Sequence, residues 1–291
     1  MNHPCVLLSR GSPLARQQAQ ISANTLAHAF PTRPVAVEFI VTTGDRQQAW
    51  SLEKTGGKGL FTTELEDALL SRQGDIAIHS AKDLPTEMPS GLALAGCLAR
   101  ANPADVLVRR EDCPSPTRIA TGSPRRRAQA RHFLPDAHFC ELRGNVGTRL
   151  RKIVEGHADA TFLAAAGLAR LGITSWPGLV FEEWGLEKMI PAAGQAAIAW
   201  QSRADDAPSF AALCDAPTTL SVNIERAFLR QLGEGCHTAF AAHFKDNTIH
   251  LFHENFGTHT LALATNLCTT PSAIDSQVSQ ILAQITHALR P

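Results

Sequence analysis

One stretch, from Asp75 to Pro85, carries polar side chains whose types and spacing could do chemistry. Its apolar start, Ile76 to Ile78, predicts a short buried strand, and Pro85 prevents a strand or a helix from simply continuing. Lys82 and Asp83 follow at the predicted carboxyl end of this strand, where ligands bind in open α/β sheets. The pair is therefore a candidate catalytic or binding site. The alternative interpretation is an ordinary surface salt bridge in a loop.

A second candidate is a cluster of basic residues in a chain whose formal net charge is zero. Nine Lys or Arg lie between residues 118 and 152, against Asp136 and Glu141. The planar guanidinium of Arg binds carboxylates and phosphates through paired hydrogen bonds, so the cluster predicts a site for a small polyanion. Nucleic acid is not expected as a partner, because aromatic residues that could stack on bases make up only 6% of the chain.

A short motif, Gly-Ser-Pro after a predicted strand, occurs twice and would position both candidates. Its copies stand at residues 11–13 and 122–124. Ser is a favoured N-cap and Pro suits the first helical position, so a helix is predicted to begin at each copy. The free N–H groups of such a helix start form a ready anion site. The repeat also suggests that the chain contains two related units.

Strands alternating with helices through the first half of the chain predict parallel α/β sheets. Asn102-Pro103 marks a crossover into a second unit, and a strand from Ile190 to Trp200 is predicted to return to the first sheet. Three antiparallel strands and a last helix follow. We expect an α/β fold of two larger domains plus a small C-terminal α+β domain. The expected boundaries are residues 1–98 plus 195–214, 99–194 and 215–291.

Cys236 stands apart from the other six cysteines because it follows Gly235 in a glycine-rich loop. Glycines leave the sulfur sterically open, as a nucleophile or an attachment point requires. Cys97, Cys140 and Cys268 fall in apolar strands and are expected to be buried small hydrophobes. No Cys-x-x-Cys spacing occurs, so neither a metal site nor a disulfide framework is expected. No apolar run reaches the ~18 residues of a membrane span and no signal peptide is visible, so a cytoplasmic protein is expected.

Five motifs in collinear order resemble the porphobilinogen deaminase (hydroxymethylbilane synthase) family. They cover nearly the whole chain: Arg10-Gly11-Ser12-Pro13-Leu14-Ala15, Gly56-Gly57-Lys58-Gly59-Leu60-Phe61, the stretch from Asp75 to Pro85, Leu142-Arg143-Gly144-Asn145-Val146-Gly147-Thr148-Arg149-Leu150, and Gly235-Cys236.

The resemblance implies that the two larger α/β domains are periplasmic-binding-protein-like. It also implies an enzyme of tetrapyrrole biosynthesis that joins four porphobilinogen molecules head to tail and releases ammonia each time. It implies a covalent dipyrromethane cofactor attached through a thioether to Cys236, and Asp83 as the catalytic carboxylate. A monomer is expected, with porphobilinogen as its small-molecule partner and with no nucleic-acid or membrane partner. Cofactor and substrate would be bound by Arg10, Ser12, Lys58, Ser80, Lys82, Thr121, Ser123, Arg125, Arg126, Arg143, Arg149, Arg170 and Gln195. Of these, Arg125, Arg143 and Arg149 are expected to bind carboxylates rather than to stabilise the fold.

Some positions depart from the family's usual pattern. Gly122 and Pro124 replace a Ser and a Leu, Ala196 stands where Gly is usual, and Glu234 and His237 flank the Gly235-Cys236 pair. These changes leave the assigned catalytic and attachment residues intact. The alternative function is a non-catalytic two-domain protein that binds a tetrapyrrole-like polyanion.

Overall fold

The computed structural model describes residues 3–46, 62–232 and 239–288 of the 291-residue chain. In this part of the chain, the strands assemble into two five-stranded sheets and one three-stranded sheet. This confirms the predicted fold class of two α/β units followed by a smaller α+β unit. The predicted domain boundaries stay a proposal.

Thirteen strands are described. They are β1 (Cys5–Arg10), β2 (Val35–Ile40), β3 (Ile76–Ser80), β4 (Leu92–Cys97), β5 (Asp105–Arg110), β6 (Arg118–Ala120), β7 (His138–Cys140), β8 (Ala160–Ala164), β9 (Leu179–Trp184), β10 (Ile198–Arg203), β11 (Phe240–Lys245), β12 (Thr248–His253) and β13 (Gly257–Ala262).

The described helices connect these strands or cover the sheets. They are α1 (Pro13–Ala29), α2 (Thr43–Arg46), α3 (Thr63–Leu70), α4 (Pro124–Phe133), α5 (Val146–Val154), α6 (Ala165–Arg170), α7 (Ala207–Ala211), α8 (Ala216–Gln231) and α9 (Pro271–Ala288). Short 3₁₀ turns span Ala81–Asp83 and Thr265–Leu267.

The two larger sheets share one topology. The first has the order β2-β1-β3-β10-β4 and the second the order β7-β6-β8-β5-β9. In each, three parallel strands are followed by a strand that runs antiparallel to both of its neighbours, β10 in the first sheet and β5 in the second. This matching order agrees with the repeated Gly-Ser-Pro motif, whose copies begin α1 and α4.

Each antiparallel strand is reached from the other sheet. After β4 the chain crosses at residues 98–104 to form β5, and after β9 it crosses back at residues 185–197 to form β10. The third sheet, β11-β12-β13, packs its apolar side chains against α8 and α9. Two crossovers therefore connect the larger units.

The predicted helix starts are confirmed by their caps. The Ser12 hydroxyl accepts a hydrogen bond from the Ala15 N–H (3.3 Å), and the Ser123 hydroxyl accepts one from the Arg126 N–H (3.4 Å). Each cap satisfies a backbone donor that has no partner within its helix. Both helix starts thereby lie directly after the carboxyl ends of β1 and β6.

The predicted strand from Ile190 to Trp200 is wrong in its first part. The chain does return to the first sheet, but β10 begins only at Ile198. Gly194 and Ala196 both have a positive φ, 73° and 71°, and this left-handed conformation is incompatible with a strand. β9 was not predicted, because its exposed Glu182 and Glu183 interrupt the apolar pattern of an edge strand.

One carboxylate, that of Glu225 on α8, connects both crossovers to the third unit. Its side chain is fully buried and binds Arg100 through two parallel hydrogen bonds of 2.7 and 2.6 Å. It also accepts the N–H groups of Gly194 (2.7 Å) and Phe244 (2.8 Å). Burial alone would raise the pKa of Glu225, but the charge of Arg100 holds that pKa below its ordinary value.

We expect Glu225→Gln to lower the free energy of unfolding by about 3–5 kcal/mol, because the buried Arg100 guanidinium loses its counter-charge. Chemical denaturation at neutral pH measures this change.

The stabilisation by Glu225 should depend on pH. Since the pKa of Glu225 is lowered in the folded protein, this stabilisation is present above the ordinary Glu pKa and is lost as the pH falls through the pKa of the folded state. The difference from Glu225→Gln should therefore shrink in acid. The matched control is Glu254→Gln at an exposed site, which should cost no more than about 0.5 kcal/mol. A cost as small as this for Glu225→Gln would contradict the assignment.

Candidate active site

The turn that carries Lys82 and Asp83 is seated on the second crossover. The Ala81 N–H donates to the Ala197 carbonyl (3.0 Å), and Gly194 lies directly against the turn. A Cβ at Gly194 would stand 2.9 Å from the Ala81 Cβ and 3.0 Å from the backbone nitrogen of Lys82, so only glycine fits this close approach. The crossover thus fixes the position of the turn.

Lys82 and Asp83 are both exposed, and they do not pair with each other. The Lys82 ammonium donates instead to the side-chain oxygen of Gln195 (3.3 Å), whose amide nitrogen donates to the Pro103 carbonyl (2.7 Å). Gln195 is fully buried and joins the two crossovers at this point. The alternative interpretation of a Lys82–Asp83 surface salt bridge is therefore wrong.

Lys82 lies in the cleft between the two larger sheets, where it meets charges from both. Although its surface is open to the cleft, loss of hydration against the walls lowers the pKa of its ammonium to about 8. The charge of Arg126 lowers this pKa further, whereas Asp83 and Asp105 oppose the effect. Side chains of the second unit are thereby close enough to act on the turn of the first.

Arg125 and Arg126, in the first turn of α4, share the buried carboxylate of Asp105. Arg125 Nη1 donates to Asp105 Oδ2 (2.8 Å) and to the Ile190 carbonyl (2.7 Å), and Arg126 Nε donates to Asp105 Oδ1 (2.9 Å). Burial would raise the pKa of Asp105, but the two guanidinium groups hold it well below its ordinary range. The expectation that Arg125 does not stabilise the fold is wrong, because this ion pair is part of the fold. Sequence reasoning missed Asp105.

Arg143 and Arg149 flank the start of α5 and lie close to each other. Arg149 Nε donates to the Gly144 carbonyl (2.8 Å), and burial lowers the pKa of Arg149 to about 10. Arg126 and Arg143 lower this pKa further, and Asp83 opposes them, so charges of both larger units act on Arg149. In the described part of the chain, the buried Nε of Arg143 has no hydrogen-bond partner. A bound anion would satisfy this donor.

The start of α4 has room at the position where the chain lacks a hydroxyl. Thr121 is buried, and its hydroxyl accepts the Ser123 N–H (3.3 Å). A Cβ at Gly122 would meet no atom within 4 Å, so the missing hydroxyl leaves open space rather than a rearranged loop.

Arg10 of the first unit and Arg170 of the second unit add two more guanidinium groups to the cationic side chains that line the cleft. Arg10, at the end of β1, lies close enough to His79 to contribute to its low pKa of about 4, a shift caused first by burial. Arg170, at the end of α6, donates to the Ala196 carbonyl in the second crossover. The structure therefore brings predicted residues of both units to one cleft with an excess of positive charge.

Comparisons with known proteins give the family. A family model described as "Porphobilinogen deaminase, dipyromethane cofactor binding domain" matches residues 6–210. The porphobilinogen deaminase of Syntrophus aciditrophicus (strain SB) is 41% identical over 242 residues, covering 80% of this chain and 78% of the relative. That of Roseiflexus sp. (strain RS-1) is 41% identical over 250 residues, covering 83% and 82%.

The chain belongs to the porphobilinogen deaminase family. A solved structure, the periplasmic aliphatic sulphonate binding protein SsuA from Escherichia coli, has a TM-score of 0.45 and 12% identity, covering 98% of this chain and 87% of that one. Family membership rests on the family model and the curated relatives.

The residues present fit the dipyrromethane group that gives the matched domain its name. This family's cofactor is a polyanion, and the cleft offers guanidinium groups from both units together with the unpartnered Nε of Arg143. Among the described residues, no cluster of side chains could hold a metal ion, and no helix is long and apolar enough to cross a membrane.

Two of the predicted site residues, Lys58 and Cys236, fall outside the described part of the chain. So do Glu234 and His237, two of the positions that depart from the family's usual pattern. The family model also ends before Cys236, so the assignment of the attachment residue rests on the Gly235-Cys236 motif alone.

A further residue that sequence reasoning missed supports the loop after Asp83. Arg226 on α8 is buried and donates to the carbonyls of Pro85 (2.7 Å) and Thr86 (3.2 Å). Its signal in the sequence is an opposite-charge pair inside an apolar helical run, Ile224-Glu225-Arg226-Ala227-Phe228. Such a pair in a buried helix predicts partners elsewhere in the fold.

We expect the Lys82 amine to react at an unusually low pH, because its pKa is lowered to about 8. Pulse labelling with acetic anhydride across a pH series, with peptide mass spectrometry, measures the half-maximal pH. Exposed Lys245 provides the reference for reagent decay. Half-maximal labelling of Lys82 at about pH 10, near the ordinary Lys value, would contradict the cleft electrostatics.

Proposed function

We propose that the chain is a hydroxymethylbilane synthase, which joins four porphobilinogen molecules head to tail into hydroxymethylbilane and releases ammonia. The observation that carries this proposal is the position of Asp83. Its carboxylate is exposed in a cleft lined by cationic side chains from both units, and it has no cationic partner within ion-pair distance among the described residues. A fixed negative charge is thus available beside a binding site for carboxylates.

Asp83 stabilises the positive charge that develops when a pyrrole substrate loses ammonia. The carboxylate is held by a 3₁₀ turn seated on Gly194 and followed by a loop anchored to Arg226. A preorganised charge of this kind needs no reorganisation during the reaction, so it lowers the barrier more than a mobile carboxylate would.

The basic side chains bind and orient the acetate and propionate groups that every pyrrole carries. Arg143 and Arg149 are the best placed, because neither has a carboxylate partner in the described part of the chain. Arg125 and Arg126 act differently, since Asp105 already holds both guanidinium groups. One carboxylate between two guanidinium groups leaves a net positive charge at the start of α4, which attracts anions without moving.

We propose that dipyrromethane is attached through a thioether to Cys236. When bound, this group supplies the pyrrole carbon to which substrate units are added. Arg10, Ser80, Lys82, Arg143, Arg149 and Arg170 would hold the carboxylates of this group and of the porphobilinogen substrate, and Lys58 is proposed to contribute from outside the described part. A monomer located in the cytoplasm is proposed as well.

The most direct test is intact mass spectrometry of the purified active protein, combined with an assay of ammonia release from porphobilinogen. We expect a mass above that of the polypeptide by one dipyrromethane, and we expect Cys236→Ser to lose both this extra mass and the turnover. Active protein with an unmodified mass would contradict the attachment. A loaded protein that releases no ammonia would instead be the non-catalytic binding protein.

We expect Asp83→Asn to lower turnover by ~10²–10⁴, because the amide keeps the shape but removes the charge that stabilises the cation. The side chain is exposed, so the fold and the cofactor loading should survive. Ammonia release is measured on protein whose loading has been confirmed by mass. The control is Asp205→Asn, an exposed carboxylate on the first unit. Near wild-type turnover of loaded Asp83→Asn would remove Asp83 from the mechanism.

A further inference from the structure

Each of the two duplicated helix starts carries a buried glutamine at the same offset. Gln18 follows the cap Ser12 by six residues on α1, and Gln129 follows the cap Ser123 by six residues on α4. Their exposed fractions are 3% and 6%. A buried amide must find hydrogen-bond partners, so the partners show what each glutamine does.

Gln129 has a structural task in the second unit. Its oxygen accepts the Ile190 N–H (2.8 Å) and its nitrogen donates to the Ile190 carbonyl (3.0 Å). The oxygen and the nitrogen of this amide both hold the backbone of the second crossover.

Gln18 has a different partner, the side chain of Ser80 at the carboxyl end of β3. Its amide nitrogen donates to Ser80 Oγ at 2.9 Å. In the strand register Ser80 pairs with Ile198 of β10, and Ala164 pairs with Asp105 of β5, so Ala164 is the matching position in the second sheet. The hydroxyl partner exists only in the unit that carries Asp83.

The hydroxyl of Ser80 is left with a proton to donate. Ser80 precedes the 3₁₀ turn Ala81–Asp83 but makes no capping hydrogen bond to it. Among the described residues, the hydroxyl donates to no protein acceptor, and the side chain is half-buried at the cleft. Because Gln18 already donates to the oxygen, the proton must be directed away from Gln18.

We propose that Gln18 is a positioning residue that orients the Ser80 hydroxyl to donate a hydrogen bond to a carboxylate of the bound pyrrole substrate. This inference rests on the proposed function. Gln18 itself does not contact the substrate, and it acts only through Ser80.

The test compares substitutions that change the direction of this hydrogen bond. In Gln18→Glu the carboxylate accepts the Ser80 proton, so the hydroxyl no longer donates to the cleft. We expect KM for porphobilinogen to rise about 10- to 100-fold, as for a lost hydrogen bond to a charged group. Ser80→Ala should raise KM by a similar factor. Gln18→Met removes only the group that orients the Ser80 hydroxyl, so it should raise KM by about 3- to 10-fold. In all three, kcat should stay within about twofold, because the lost contact is made equally in the ground state and in the transition state.

A double-mutant cycle separates positioning from a merely structural role. If Gln18 acts through Ser80, Gln18→Met combined with Ser80→Ala should bind substrate no more weakly than Ser80→Ala alone. Affinity is also measured directly in the Asp83→Asn background by calorimetry with porphobilinogen, which does not depend on turnover. Additive losses, or an unchanged affinity in Gln18→Met, would overturn the proposal.

Two matched glutamines provide controls. Gln20→Met, on the exposed side of α1 where Gln20 donates to Asn24 Oδ1 (2.9 Å), should leave KM unchanged. Gln129→Met should lower the unfolding midpoint, because the Ile190 backbone loses two buried partners.

Should Gln18→Glu fail to fold, Gln18→Met and Ser80→Ala still decide the question. A wild-type protein that does not release ammonia would overturn the proposed function and this inference together, whereas an active wild type with unaffected Gln18 variants overturns the inference alone.

Discussion

The junction of the three units depends on the buried carboxylate of Glu225. A buried charge is costly unless its oxygens are fully hydrogen-bonded, and here Arg100, Gly194 and Phe244 supply four donor contacts. These donors come from the first crossover, the second crossover and the third sheet. An apolar side chain could fill the same space, but it would accept none of these N–H groups. The carboxylate thus specifies how the segments meet, and through Gly194 it also supports the turn that carries Asp83.

In the cleft, the fold holds several positively charged side chains close to one another before a ligand binds. Arg126 lowers the pKa of both Lys82 and Arg149, which is the sign of mutual repulsion among cations. Asp105 neutralises only part of this charge, because it is shared by two guanidinium groups. The repulsion is sustained by the rest of the fold, so the incoming carboxylates of a ligand meet groups that are already in place. This is the electrostatic form of preorganisation.

Local patterns predicted the elements well, whereas long-range partners could not be predicted from them. The caps Ser12 and Ser123, and the strand before Lys82, follow from propensity and hydrophobic pattern within a few residues. Glu225 binds Arg100, 125 residues earlier in the chain, and nothing near either residue indicates the other. Asp105 binds Arg125 and Arg126, 20 and 21 residues later, and nothing beside it in the sequence indicates these partners. The turn before Ile198 was misread because its apolar residues resemble a strand, although their backbone conformation excludes one.

The exchange of strands between the two sheets has a consequence for how the protein is made. All five strands of the second sheet lie between residues 105 and 184, so that sheet can be completed once this segment has left the ribosome. The first sheet cannot, because β10, at residues 198–203, sits between β3 and β4. Until then its first four strands lack the strand that joins β3 to β4. During synthesis from the amino terminus, the amino-terminal unit is therefore the later of the two to close.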